Sequence, residues 1–271
     1  MILGKDAPKQ LYYKGNWPVP AGFENCLAVV GSRRMTSYGK RVCEEIVSRA
    51  AGVGITIVSG FMYGIDATAH KAAVDAGGKT IAVMPCGIDL IHPEYQEQLY
   101  NEILDNNGLI ISEYPEKTLP ELWTYPRRNR IVAGFSRAVL VVEAGEKSGS
   151  LITANFAKKF KRKVFAVPGQ IISSVSIGTN RLIKEGAEIV TEANDVLKYF
   201  NTLKMPETKH AEARPLYNLE GRVIQQLQRE PMEIDFLARN LNIGPAELGK
   251  TISLMEIKGQ IKNENGKYYV C

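Results

Sequence analysis

Short runs of Val, Ile, Leu and Ala recur along the first two thirds of the chain, at 27–30, 55–58, 80–84, 109–111, 138–142, 164–167 and 189–190. Each is apolar at consecutive positions rather than alternate ones, the pattern of strands buried on both faces of a sheet. Longer segments of helical period lie between them. Val42, Ile46 and Ala50 fall four apart within 38–51, and 65–76 and 94–105 read as further crossover helices. The alternation predicts an α/β fold: an extended Rossmann-like parallel sheet with helices on both faces. In such sheets ligands bind beyond the carboxyl ends of the strands, so function is sought in the residues that follow each strand.

The pattern stops at 201–215, which carries Pro206, Pro215 and mixed charges without periodicity and reads as a linker. Beyond it, Leu216, Leu219, Val223 and Leu227 form one stripe, Ile234, Leu237, Ala238 and Leu241 a second, and Leu248, Ile252 and Met255 a third. Two extended runs then flank Asn265-Gly266, a strong two-residue hairpin signal. Three helices and a hairpin predict a winged-helix module. The chain thus divides into a lead segment at 1–26, a Rossmann-like domain at 27–200, the linker, and a module at 216–271.

With 271 residues, 45% of them hydrophobic, the composition is that of an ordinary globular protein. The amino terminus has no apolar run of signal-peptide length and no stretch of about 18 apolar residues occurs, so a cytoplasmic protein without a membrane span is expected. Cys26, Cys43, Cys86 and Cys271 are far apart, with no Cys-x-x-Cys pair or local histidine; they are read as reduced and mostly buried, and no metal site is expected.

Charge sharpens the picture. Between Arg127 and Lys163, ten Lys or Arg meet only Glu143 and Glu146, in a chain whose net charge is +5. Such a cluster is either a solvated basic face or the seat of an anionic partner, for which a polyphosphate is the natural choice.

Three strand ends carry candidate chemistry. In the first, Gly31-Ser32-Arg33-Arg34 offers a tight turn, a hydroxyl and cations before a helix. The dinucleotide fingerprint Gly-x-Gly-x-x-Gly is absent, so the site suits phosphate rather than NAD, and no cofactor is expected. The second, Ser59-Gly60 to Gly64-Ile65-Asp66 with His70 one turn on, again suits close ligand approach; Asp66 and His70 read as a helix-entry carboxylate and a packed histidine, not a catalytic dyad. At the third, Lys147-Ser148-Gly149-Ser150 leads into a helix with Thr153 and Lys158, a phosphate cradle that lacks P-loop spacing and so argues against ATP hydrolysis.

In order, these segments, with Pro126-Arg127-Arg128-Asn129-Arg130-Ile131, Val167-Pro168-Gly169 and Gly178-Thr179-Asn180-Arg181-Leu182-Ile183, resemble the DNA-processing protein A family, also called DprA or Smf. The resemblance spans about residues 11 to 200, and Tyr12-Tyr13-Lys14-Gly15-Asn16 is similar to the short segment before the family's Rossmann-like domain. It implies a cytoplasmic mediator, not an enzyme, that binds and protects incoming single-stranded DNA, dimerises through its Rossmann-like domain, and loads the RecA recombinase during natural transformation. By the same resemblance Arg33 is the foremost phosphate contact, with Arg127, Arg128, Asn129, Arg130 and Asn180 carried over from their motifs; Arg127 sits where the motif is less strict. Two departures are noted. Many members carry a preceding helical domain, whose lack implies a truncated sequence or a lineage without it, and Met62 stands where a small residue is common.

Single-stranded DNA needs cations along its backbone and π faces for its bases. Tyr125 is the stacking candidate, while Trp123 and Phe135 read as core anchors. The module at 216–271 carries seven Lys or Arg against seven Asp or Glu, and its reading helix at 245–258 sets Lys250 and Lys258 against Glu247 and Glu256. That neutrality points to protein contact or auxiliary DNA binding rather than sequence-specific duplex recognition. The rival is a nucleotide enzyme, because the cytokinin-activating phosphoribohydrolases share the fold type. Their Pro-Gly-Gly-x-Gly-Thr-x-x-Glu loop corresponds here to 143–153, where the double glycine and trailing glutamate are missing.

Overall fold

The computed structural model describes residues 4–16, 25–200, 219–227, 230–241, 243–264 and 266–270. The predicted linker, Leu216, Asn265 and Cys271 lie outside them. The chain forms two units, Met1–Met205 and Pro206–Cys271.

All seven predicted apolar runs are strands: β2 (Cys26–Val30), β3 (Thr56–Ser59), β4 (Thr80–Gly87), β5 (Leu109–Tyr114), β6 (Ala138–Val141), β7 (Lys163–Ala166) and β8 (Glu188–Ile189). An eighth, β1 (Tyr12–Gly15), comes from the lead segment and pairs antiparallel with β5, Tyr12 opposite Ser112. It alternates half-buried and exposed residues, the mark of an edge strand with one open face. Sheet order is β1-β5-β4-β3-β2-β6-β7-β8, all parallel except β1.

Helices cover both faces. The residues of β2 divide between them: Cys26, Ala28 and Val30 enter one core cluster with α4 (Thr124–Gly134), α5 (Gly149–Lys159) and α6 (Ile177–Lys184). Leu27 and Val29 enter the opposite one with α1 (Ser37–Gly52), α2 (Ile65–Asp75) and α7 (Ala193–Tyr199). Fully apolar strands are thereby explained: neither face meets water. The segment read as one helix at 94–105 is a 3-10 turn, Glu94–Gln96, running into α3 (Glu97–Asp105). Helix α4 tolerates Pro126 because it sits in the first turn, where a missing N–H breaks no helical hydrogen bond.

The second unit has the predicted winged-helix elements: α8 (Leu219–Leu227), α9 (Ile234–Leu241), α10 (Pro245–Ile257), and the hairpin β9 (Ile261–Glu264) with β10 (Lys267–Val270). Val223, Leu237, Leu248, Ile252 and Met255 close its own core. Among the described residues, no helix is long and apolar enough to cross a membrane, and no cluster of three His, Cys, Asp or Glu could hold a metal ion.

Candidate nucleic-acid interface

Strand order reverses direction between β2 and β6, and a cleft of about 680 Å³ opens beyond the carboxyl ends of the strands there. Its walls come from the turns after β2, β3, β6 and β7 and from one face of α4. Thirteen candidate residues meet in it: Gly31, Ser32, Arg33, Arg34, Gly60, Tyr125, Arg128, Asn129, Lys147, Ser148, Gly149, Ser150 and Thr153.

Arg33 is exposed and held between two rings. Its guanidinium carbon lies 5.2 Å from the centre of Tyr125 and 5.7 Å from that of Tyr63. It has no carboxylate partner within 4 Å among the described residues, so a structural ion pair does not account for it. Tyr125 is itself anchored, its hydroxyl 2.8 Å from His92 Nε2, and burial raises its phenol above the ordinary range while Arg33 opposes the rise. Tyr63, which sequence reasoning passed over, is one of two aromatics in a glycine-bounded loop after a strand; Phe61 is buried and Tyr63 exposed.

Arg128 is 4% exposed and donates to the carbonyls of Gly60 and Val83. It therefore ties the β3 turn and β4 to α4 from beneath the cleft floor. Burial lowers its pKa to about 10, with Asp66 opposing and Arg33 assisting. Asp66, also on the cleft wall, has its carboxyl raised by burial against the pull of Arg128 and the backbone of Met62. Among the described residues it is the only carboxylate on a lining that carries Arg33, Arg34, Arg128 and Lys147.

The amino end of α5 forms the opposite wall. Ser148 caps it, accepting from Ser150 N–H, and the two hydroxyls lie 2.7 Å apart. Asn129 bridges the walls, donating to Gly149 O at 3.1 Å and accepting from Arg128 Nε at 3.2 Å. The positive end of the helix, its hydroxyls and an exposed Lys147 favour an anion.

Glycines expected to admit a ligand instead admit the protein. A Cβ on Gly31 would lie 2.6 Å from Ile65, and one on Gly64, whose φ is 81°, would lie 2.3 Å from Ser32 O. These glycines bring the β2 and β3 turns together. Gly149 alone among the cleft glycines has open space around it.

Five candidates lie elsewhere. Ser59 is fully buried, its hydroxyl donating to Val29 O at 2.6 Å. Arg130 is 8% exposed and, with Arg127, pairs with Glu113. Lys158 pairs with Glu185 at 2.7 Å. Asn180 exchanges hydrogen bonds with the backbone of Gly169. Much of the basic run beyond α4 is likewise neutralised, Lys159 by Asp6 at 2.6 Å and Lys163 by Glu188. Of the ten cations between 127 and 163, only Arg128 and Lys147 line the cleft; Arg33 and Arg34 supply the rest of its charge.

His70 is packed, as expected. Its Nδ1 lies 2.7 Å from Thr80 Oγ1, whose proton goes to Ile57 O; Nδ1 therefore carries the ring hydrogen, and buried Nε2 has no partner. Burial, with Arg128 nearby, holds its pKa at about 3. Phe135 is core at 5% exposed, but Trp123 is 48% exposed, against expectation. Glu143, at the loop a phosphoribohydrolase would use for catalysis, is 3% exposed and accepts from the amide and hydroxyl of Thr36 at the start of α1.

Comparison with known proteins shows the family. The sequence model of DNA recombination-mediator protein A matches residues 2–201, and that of the DprA winged helix domain matches 207–267. The chain is 43% identical over 202 residues to Protein Smf of Escherichia coli, covering 73% of this chain and 52% of that protein. It is 43% identical over 195 residues to DNA processing protein DprA of Streptococcus pneumoniae, covering 72% and 68%. It thus spans about half the length of the Escherichia coli relative. The X-ray structure of the Streptococcus pneumoniae protein superposes with a TM-score of 0.67 at 41% identity, over 73% of this chain and 69% of that one. DNA processing protein A of Helicobacter pylori, whose structure concerns its mode of binding single-stranded DNA, superposes with a TM-score of 0.65 at 33% identity, over 73% and 88%.

Proposed function

The chain belongs to the DNA recombination-mediator protein A family, and on that premise we propose that it binds single-stranded DNA in the switch-point cleft and acts as a recombination mediator rather than an enzyme. The observation that carries this reading is the setting of Arg33: an exposed cation with no ion-paired carboxylate among the described residues, steadied by two rings, in a cleft shared with Lys147 and the amino end of α5. Arg33, Arg34 and Lys147 meet phosphates, Tyr63 and Tyr125 offer stacking faces, and Ser148, Gly149 and Ser150 supply hydroxyls and amides. Arg128 and Asn129 hold these parts in place.

The mediator reading extends to the protein's biology. It protects incoming DNA and loads RecA during natural transformation, working in the cytoplasm as a homodimer formed through the Rossmann-like unit. The neutral winged-helix unit serves protein contact or auxiliary DNA binding. Against the nucleotide-enzyme alternative stands Glu143, which is committed to Thr36, while the loop's other carboxylate, Glu146, is exposed and does not line the cleft.

The test is fluorescence anisotropy of labelled oligo-thymidine with wild type and Arg33→Ala, across a salt series and beside a duplex of equal length. Preferred single-strand binding, steep loss with salt and a large defect in the variant are expected. Absence of DNA binding, with release of free base from a nucleoside monophosphate, would overturn the reading.

A further inference from the structure

Helix α4 is a wall between two depressions. Tyr125, Arg128, Asn129 and Val132 lie on its cleft face, three, four and seven positions apart. Arg127 and Arg130, on a different stripe of the helix, line a second pocket of about 440 Å³ together with Lys5, Asp6, Lys9 and Glu113. Four cations there meet two carboxylates, and both carboxylates are engaged: Asp6 by Lys159 at 2.6 Å, Glu113 by Arg130 at 2.6 Å and Arg127 at 3.3 Å. Lys5 and Lys9 are exposed, with no ion pair among the described residues.

Trp123 stands where α4 begins, two residues before Tyr125. Its indole is half exposed and yet fixed by three contacts. Nε1–H donates to Glu121 at 2.6 Å, Tyr114 meets the ring edge-on at 6.1 Å, and the Arg127 guanidinium lies 5.6 Å from its centre. A ring whose rotamer is already set loses little entropy when a flat partner stacks on it.

We propose that Trp123 and the pocket of Lys5, Lys9 and Arg127 form a second contact for the same DNA strand, which leaves the cleft past Tyr125, stacks a base on Trp123 and lays its phosphates against the lysines. This rests on single-strand binding in the cleft. Lys5 and Lys9, without an ion pair among the described residues, share their pocket with Tyr114 and Arg127, both of which touch the indole; such cations favour a nucleic acid over a peptide, which would use the apolar surface without needing them.

The experiment uses the full chain carrying Trp17→Phe, so that Trp123 is the sole tryptophan, and an oligo-thymidine ladder of roughly 4–16 nucleotides. Short oligomers bind through Arg33 without changing the fluorescence of Trp123; long ones quench it. Trp123→Ala weakens the longest oligomer about tenfold and leaves the shortest unchanged, while Trp123→Phe, which keeps a stacking face, restores most of the loss. Joint replacement of Lys5 and Lys9 by Ala lowers the salt slope of the longest oligomer by about 1.4, at about 0.7 per phosphate. If long oligomers bind in an Arg33-dependent way while the fluorescence of Trp123, the Trp123→Ala affinity and the salt slope stay unchanged, the second contact is refuted and the cleft reading stands. If Arg33 is dispensable at every length, the cleft reading fails and the second contact with it.

Discussion

Arg33 and Tyr125 come from segments about ninety residues apart in sequence, and the fold brings the guanidinium to 5.2 Å from the ring centre. The contact steadies a long side chain that would otherwise lose rotamer freedom on binding, and leaves the cation without an ion-paired carboxylate among the described residues.

Removing the ring tests that role. Tyr125→Ala weakens binding of a short oligo-thymidine by about 1–3 kcal/mol, whereas Tyr125→Phe keeps the stacking face and loses only the His92 contact, so it stays close to wild type. Anisotropy titrations at fixed salt distinguish the two.

Arg128 and Arg33 are both cleft arginines, yet their loss differs in kind. Arg128→Met leaves the carbonyls of Gly60 and Val83 without a donor in a buried site and strips Asp66 of its neighbouring cation. It destabilises the protein by about 3–5 kcal/mol in urea unfolding. Arg33→Ala shifts stability by no more than about 0.5 kcal/mol, because that side chain is exposed.

His70 makes stability depend on pH in a defined direction. Its folded pKa of about 3 lies below the ordinary value of 6.5, so the unfolded chain takes up the proton first. The stabilisation is complete above about pH 6.5 and is lost as pH falls toward 3, with a slope of up to about 1.4 kcal/mol per unit. Asp66, whose carboxyl is raised by burial, acts with the opposite sign at the acid end and blunts the fall. Urea midpoints measured from about pH 7 to pH 4 decline in wild type and flatten in His70→Gln, which cannot take up the charge. An unchanged slope in that variant would contradict the assignment.

Glu143 is a structural carboxylate. Thr36→Ala removes the hydroxyl that both donates to Glu143 and caps Gly39 N–H, and costs about 1 kcal/mol of stability. The salt dependence of DNA binding remains that of wild type, because neither residue lines the cleft.

Buried thiols react slowly. Burial pushes Cys26 up to about 12 and Cys86 to about 11, and raises Cys43 as well. In a Cys271→Ser background, alkylation at neutral pH is therefore negligible until denaturant is added, as mass spectrometry would show.

The positions of seven strands and the winged-helix elements were legible in the sequence because both follow from local periodicity: consecutive apolar residues for strands that are largely dry on both faces, the exposed β8 excepted, and repeats of three and four for amphipathic helices. The phosphate-suited turn at Gly31 to Arg33 and the amino end of α5 were legible for the same reason, since strand ends and helix starts are local features. Edge strand β1 was not predicted, for Tyr12-Tyr13-Lys14-Gly15 is only half apolar and is a strand because β5 offers it a partner. Nor could the chain alone sort its cations. Lys158 meets Glu185 and Lys159 meets Asp6 across separations that no pattern encodes, so a run that reads as one basic patch is largely cancelled. Arg128 went inward and Trp123 outward by the same logic. Sequence determines which segments can bury a face; only tertiary packing determines which charges find partners on the way, because ion pairing depends on distance in space rather than along the chain.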